Sequence, residues 1–455
     1  MLTLSRYTHV LKIDENTSVL WNSLRMRAIF LGDPLFHYVE HINSETSFDD
    51  FKGQFPISLA SNADELIQRM IEQKFWINQE EDQIKISEIR DRINQLPVAI
   101  MYLILSTKCN LRCRYCYLSK SVKNNCRRGN MPIKTIKKAV DLLKDTIKTN
   151  GIHDPEIIFY GGEPLLNPKG LLFTLKYTRR VIPNCKFTIN TNGTLITDAI
   201  AKILKQYDVL VSISIDGPKK IHDQERVDVQ GQGSFDRVIA GIKILQDHNV
   251  KTSVSCTISP ANMNSLRETI EWFIDDLKVK GIDLNLMLGD FGNDQIRSEY
   301  AYTASKQLVG CYKLAKDKGI LIDRMMRIVR PLAKGTANFN SCAGCGQQIV
   351  VAPNGLVGVC QGNLNTMQDF VEIGDASELI DHQLWTKWRK RSPFNIDECL
   401  KCEALSVCGG GCPYSARLVS GDIMSLNTIY CAFAKEALHS LIVELWNNKK
   451  AKSMV

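Results

Sequence analysis

The sequence predicts an α/β fold centred on a partial (β/α)6 TIM-like barrel. A winged-helix-like unit is expected before it and a loop-rich, cysteine-dense unit after it. Three observations carry this. Six short apolar runs alternate with longer helical patterns between residues 99 and 288. The first 97 residues follow a different pattern. Beyond residue 335 the periodicity weakens while Gly, Cys and Pro rise. A chain of 455 residues suits two or three domains, here expected at 1–97, 98–335 and 336–455.

In the first unit, residues 7–13 alternate polar and apolar, Asp14-Glu15-Asn16 offers a turn, and residues 18–24 return as a second strand. Residues 63–74 carry a helical stripe of Leu66, Ile67, Met70 and Ile71. Phe75-Trp76-Ile77 reads as a short strand. A hairpin, helices and a small wing suit a binding module; the alternative is an extension packed on the core.

The barrel strands are expected at 99–105, 156–160, 187–191, 209–215, 252–258 and 283–288. Helices are expected at 133–149, 198–206, 235–248 and 264–279, with Asp198 and Asn264 as caps. Such repeats favour parallel strands joined by right-handed crossovers. Six units are fewer than the eight of a closed barrel, so an open one is expected, with function at the C-terminal strand ends. The segment after 335 has little apolar core of its own and needs other staples, which metal clusters supply. Residues 429–446 read as a terminal helix.

Composition excludes several classes. No run of about 18 apolar residues appears, so neither a spanning helix nor a membrane partner is expected. The start, Met1-Leu2-Thr3, lacks a basic segment followed by an apolar run, so a secretory signal is not expected and a cytoplasmic location is. The net charge of +8 is mild for this length and includes no basic arm, so no nucleic-acid partner is expected. Fifteen cysteines in a reducing compartment are more often ligands than disulfides. Eleven of them fall in two groups, 109–116 and 342–431, while Cys126, Cys185, Cys256 and Cys311 are scattered. Cys256 lies in an apolar run and reads as a small core residue.

Cys109-x3-Cys113-x2-Cys116 directly follows the first barrel strand. A [4Fe–4S] cube needs four ligands, so three thiolates leave one iron open to chelate an amino and a carboxylate group. A structural zinc site would want four closed ligands, and only three are local. This segment resembles the radical SAM superfamily, and the resemblance spans roughly residues 97–440. It implies that a cluster reduces S-adenosylmethionine to methionine and a 5′-deoxyadenosyl radical, which takes a hydrogen atom from the substrate. By the same resemblance, Gly161, Gly162 and Glu163 of Tyr160-Gly161-Gly162-Glu163-Pro164 hold the methionine amino group. Asn192 ends the third strand, Ser214 lies near the cofactor ribose, Arg226 pairs with the methionine carboxylate and Tyr115 lies beside the adenine.

The C-terminal spacing, Cys345-x9-Gly355-x4-Cys360, then Cys399-x2-Cys402-x5-Cys408-x3-Cys412, then Cys431, is similar to that of SPASM domains, which carry auxiliary iron–sulfur clusters. Carried over, Cys342, Cys345, Cys360 and Cys412 hold one [4Fe–4S] cube and Cys399, Cys402, Cys408 and Cys431 a second, making three clusters in all; two zinc knuckles are the alternative. Members of this group mostly modify peptides. Anaerobic sulfatase-maturating enzymes carry a basic aspartate after the cysteine at the position of Cys360, where this chain has Gln361, which takes no proton at neutral pH. The resemblance therefore implies a maturase of a ribosomally made precursor, forming a carbon–carbon, ether or thioether crosslink. Residues 1–97 would act as a leader-peptide-binding (RRE-like) module that grips by strand addition, and an electron donor such as flavodoxin or ferredoxin would serve the cluster. Asp290 and Asp294 are base candidates. A catalytically silent Fe–S peptide-binding scaffold is the reading of another class.

Overall fold

The computed structural model describes the chain apart from residues 1, 33, 44, 119–128, 290, 292, 454 and 455; for 450–453 it describes the backbone alone. Among the described residues no helix is long and apolar enough to cross a membrane.

The N-terminal part contains β1 (Leu2–Leu4), β2 (Thr8–Asp14), β3 (Thr17–Asn22), β4 (Arg27–Gly32) and β5 (Trp76–Asn78). Strands β2, β3 and β4 form an antiparallel sheet, and β1 pairs with β5. Asp14 accepts from the Asn16 amide at 3.0 Å and closes the first hairpin. The strand expected at 18–24 stops at Asn22, because the Asn22 side chain accepts from the Arg25 amide at 2.9 Å and turns the chain into β4. That third strand escaped the sequence reading. The helices Ala60–Glu72 and Glu81–Asn94 cover this part, and Leu20, Ile29, Leu31, Phe51, Leu66, Met70 and Trp76 form its own core.

It is not loosely tethered. Trp21 Nε1 donates to the Glu403 carbonyl at 2.7 Å, and Ser406 Oγ donates to the Leu24 carbonyl at 3.0 Å. Tyr7, Leu24, Ile86, Ile89 and Ile93 bury together with Phe394 and Leu405. Phe30 stacks on Trp446 of the terminal helix Thr428–Ser453, with ring centroids 5.2 Å apart.

The central sheet runs through β6 (Ile100–Ser106), β7 (Glu156–Gly161), β8 (Lys186–Thr191), β9 (Leu210–Ser214), β10 (Thr252–Ile258) and β11 (Gly281–Leu286), all parallel and in sequence order. The six repeats are those the sequence predicts. Short strands extend both edges: β12 (Leu321–Ile322) beside β11, and β13 (Gln348–Val351) parallel to β6, followed by β14 (Val357–Gly358) and β15 (Phe370–Val371). Two to four residues are too few to show a period in sequence. The sheet stays open, with β12 and β15 at its ends.

Alternation along the strands separates two faces. Leu103, Phe159, Ile189, Ile213, Val254, Cys256 and Leu284 enter the main core, so Cys256 is the core residue expected of it. The opposite face carries Tyr102 and Tyr160 on the early strands, then Asn190, Ser214, Ser255, Asp283 and Asn285. Two expected caps move. Thr197 caps the helix Asp198–Gln206, its Oγ accepting from the Ile200 amide at 3.4 Å, and Asp198 is the first helical residue. Asn264 lies in the 3₁₀ turn Met263–Ser265, and the helix proper starts at Leu266.

Candidate cofactor site at the strand ends

The loop after β6 carries Cys109, Cys113 and Cys116, none of them in a disulfide among the described residues. Backbone bonds pin it: the Arg112 amide to Val227 O at 2.6 Å, the Arg114 amide to Glu225 O at 2.9 Å, and the Cys116 amide to Cys113 O at 3.1 Å. Cys109 Sγ accepts from the Leu111 amide at 3.4 Å and lies 3.9 Å from Asn192 Nδ2. Burial pushes the Cys109 thiol up to about 11 and Cys113 up to about 12. Thiols so placed ionise when a cationic cluster takes them as ligands.

Gly161 and Gly162 bring the end of β7 against this loop. A Cβ on Gly162 would stand 2.4 Å from the Lys108 carbonyl oxygen, and one on Gly161 (φ +143°) 2.1 Å from that of Ser106. The Glu163 amide then donates to Lys108 O at 2.8 Å. Glu163 itself is fully buried, and its carboxylate accepts from Thr191 Oγ1 at 2.7 Å, the Asn192 amide at 2.8 Å and the Leu165 amide at 3.0 Å. It thus locks the ends of β7 and β8 together. Burial pushes its pKa up to about 7 against the pull of those three donors. Asn192 Oδ1 accepts from both the amide and the hydroxyl of Thr194, and Asn192 Nδ2 donates to Asn110 Oδ1 at 2.9 Å, which ties β8 to the cysteine loop.

Asp216, just past β9, is the hub the sequence reading missed. It is fully buried and accepts from Arg226 Nε at 2.8 Å and Nη2 at 3.2 Å, from Tyr115 Oη at 2.6 Å, and from the Thr257 amide at 3.0 Å. The Arg226 guanidinium also lies 5.3 Å from the centre of the Tyr115 ring. Arg226 and Tyr115 are therefore oriented by one carboxylate, and Ser214 stands two residues before it at the end of β9. Nothing in the sequence shows that Arg226, ten residues beyond Asp216, folds back onto it. His222 is neutral, pushed down to about 4 by burial. Its Nδ1 accepts from the Asp216 amide and its Nε2 meets Ser234 Oγ at 2.9 Å, a positioning role.

The second cysteine field gathers in two places. Burial raises the Cys345 thiol, and Cys342, Cys412 and Cys360 raise it further. Cys408 is raised by burial and then by Cys431, Cys399 and Cys402. Amide donors reach the sulfurs of Cys342 (from Gly344), Cys360 (from Gly362), Cys402 (from Ala404) and Cys412 (from Ser415), each at 3.4 Å. Such N–H···S bonds favour thiolate. Among the described residues no three His, Cys, Asp or Glu side chains close on a single-ion cage. A four-iron cube holds its ligands on separate corners, so its thiols stand wider apart than those of one zinc ion. Between this field and the first loop, Tyr117 and Tyr160 meet hydroxyl to hydroxyl at 2.8 Å, and the Tyr117 carbonyl accepts from Asn365 at 2.6 Å. Asp290 lies outside the described residues. Asp294 is exposed at a helix start and paired with Arg297 at 2.5 Å, a solvated position.

Residues 103–273 match the Radical SAM superfamily. The radical SAM cyclopropyl synthase TigE of Paramaledivibacter caminithermalis is 24% identical over 97% of this chain and 96% of its own. The serine-type anaerobic sulfatase-maturating enzyme of Bacteroides thetaiotaomicron is 33% identical over 36% of this chain and 41% of its own. Among solved structures, native anSMEcpe with bound AdoMet shares the fold at a TM-score of 0.65 and 22% identity, covering 77% of this chain and 99% of that one. The cysteine loop, the strand-end contacts around it and these likenesses identify residues 103–273 as a radical SAM domain, and the chain as an enzyme.

Proposed function

We propose that this enzyme matures a ribosomally synthesised peptide by joining side-chain atoms, with the precursor's leader held by residues 1–97. The observation that carries this is the extent of the likeness to the cyclopropyl synthase. At 97% of the chain it leaves too few residues outside to omit the N-terminal part, whereas the likeness to the cysteine-type anaerobic sulfatase-maturating enzyme of Clostridium perfringens covers 75% and leaves room to omit it. A cyclopropyl synthase closes a carbon–carbon bond, which favours that bond class here. Gln361 also stands where the sulfatase-maturating group needs its base. It is neutral and accepts from Gln348 at 3.1 Å.

In this reading Cys109, Cys113 and Cys116 hold a [4Fe–4S] cluster, and the two groups of four C-terminal cysteines hold two more. When bound, the first cluster supplies the electron that splits S-adenosylmethionine, and an external reductant of the flavodoxin or ferredoxin kind renews it. The chain's own part is to bind and orient. Asp216 fixes the Arg226 fork for a carboxylate and holds Tyr115 as a flat wall. Glu163 keeps the strand ends in register, so that Asn192 and the cysteine loop present a fixed face. The pairing of Tyr117 with Tyr160 shields the space between the first loop and the second cysteine field from water.

The winged-helix-like reading of the N-terminal part rests on the antiparallel β2–β3–β4 sheet beside two helices. Among the described residues, strands β2 and β4 each pair with a strand on one side only, which suits strand addition by a peptide. Deleting residues 1–97 is a poor test, because Val19, Trp21 and Met26 belong to the main core. Amide hydrogen exchange tests it directly. Adding the leader-bearing precursor is expected to slow exchange in Thr8–Asp14 or Arg27–Gly32. A precursor that is modified without any added protection in residues 1–97 would remove the leader-binding role. A formylglycine product would favour the sulfatase-maturating alternative.

A further inference from the structure

The sheet face that carries Ser214 also carries a carboxylate not yet accounted for. β11 sends Ile282 and Leu284 into the apolar core, so Asp283 and Asn285 face the other way. The register pairs Asp283 with Ser255, and Ser255 with Ser214. The three form one row, with Asp283 about 10 Å from Ser214 at the usual strand spacing.

Asp283 is held from one side only. Its Oδ2 accepts from Asn285 Nδ2 at 2.9 Å, and the same amide meets Ser255 Oγ at 3.1 Å. Asn285 Oδ1 in turn accepts from Arg324 Nη2 at 2.6 Å. Arg327, on the same helix Asp323–Lys334, adds its charge from nearby. Oδ1 is shielded from solvent with no hydrogen-bond partner, and Asp283 is the one carboxylate among the described residues in that position. Glu163 and Asp216 show what a structural carboxylate looks like in this protein, with three or more donors each. A buried carboxylate oxygen left without a donor is costly, so it is retained where a ligand supplies the proton or donor. The residue as a whole is half-buried, which leaves it open to the polar face.

We propose that Asp283 is the catalytic base that takes the second proton from the peptide. This rests on the crosslinking reading above. Two bonds to hydrogen break in the substrate and one new bond forms between the atoms they leave. One hydrogen goes as an atom to the 5′-deoxyadenosyl carbon, and the other goes as a proton to Asp283. The remaining electron would go to an oxidised iron–sulfur cluster, which Cys342, Cys345, Cys360 and Cys412 would hold. The chain Asp283–Asn285–Arg324 reaches toward that cluster's site, since the charge of Arg324 acts on the Cys412 thiol.

The test uses the reconstituted full chain and a leader-bearing precursor peptide deuterated at carbon. Fluorescein-labelled precursor is expected to bind Asp283→Asn within about threefold of wild type, and deuterium is expected to reach 5′-deoxyadenosine at a similar rate, while crosslink formed per deuterium moved falls about 100-fold. Asp283→Glu, which keeps a carboxylate, is expected to recover part of that coupling and guards against a merely misfolded variant. Unchanged coupling in Asp283→Asn overturns the proposal, and so does a loss confined to precursor binding. If wild type moves no deuterium, the peptide reading fails first, and the role of Asp283 falls with it.

Discussion

Cys113→Ala is expected to reduce 5′-deoxyadenosine formation from S-adenosylmethionine to below about one thousandth of wild type, a barrier increase of roughly 4 kcal/mol. The substitution removes one of three thiols on a loop otherwise held by its backbone. The bonds from the Arg112, Arg114 and Cys116 amides do not involve the Cys113 side chain. The fold should survive while the cluster loses a corner ligand, and two thiolates do not hold a cube with one open iron. Cys256→Ala is the matched control. Cys256 is equally outside any disulfide among the described residues, fully buried in the apolar core, and its loss should cost stability but leave cleavage near wild type. Chromatographic measurement of 5′-deoxyadenosine under anaerobic reduction separates the two.

Asp216→Asn is expected to destabilise the protein by about 3–5 kcal/mol, read from the urea midpoint, and to weaken S-adenosylmethionine binding. The reason is the isolation of Arg226. Its guanidinium is buried, and Asp216 is the counter-charge that keeps it protonated there despite burial. A neutral amide leaves that charge without compensation and competes poorly for the Tyr115 hydroxyl. The double variant Asp216→Asn with Arg226→Met should recover much of the stability, because neither charge then remains to be desolvated. It should not recover cofactor binding, because the oriented fork is gone. Recovery of both would show that the pair serves the fold alone.

The strand ends were legible in the sequence because three devices coincide there: apolar runs of period two, glycines at close backbone approach, and thiols at fixed spacing. The loop around Cys109 could therefore be located without coordinates. Asp216 was not legible as a hub, because its partners Tyr115, Arg226 and Thr257 come from three other segments and meet only once the sheet forms. The same holds for Asp283, whose position depends on the register of β9, β10 and β11. The sequence identifies no base and offers the loop carboxylates Asp290 and Asp294 only as weak candidates, while an aspartate inside a strand escapes it because alternation marks it only as the polar face. Strand β4 was missed for a local reason: the Asn22 side chain, not a glycine or proline, makes the turn before it. The short strands β12 and β14 carry too few residues to declare themselves.

Electron paramagnetic resonance of the anaerobically reconstituted, dithionite-reduced chain tests the central claim most directly. Iron bound by Cys109, Cys113 and Cys116 should give a reduced-cube signal whose g-values move when S-adenosylmethionine is added, and the Cys113→Ala chain should lose that response while keeping the iron of the C-terminal cysteines. Zinc in the first loop, or an iron signal indifferent to the added sulfonium, would contradict the account.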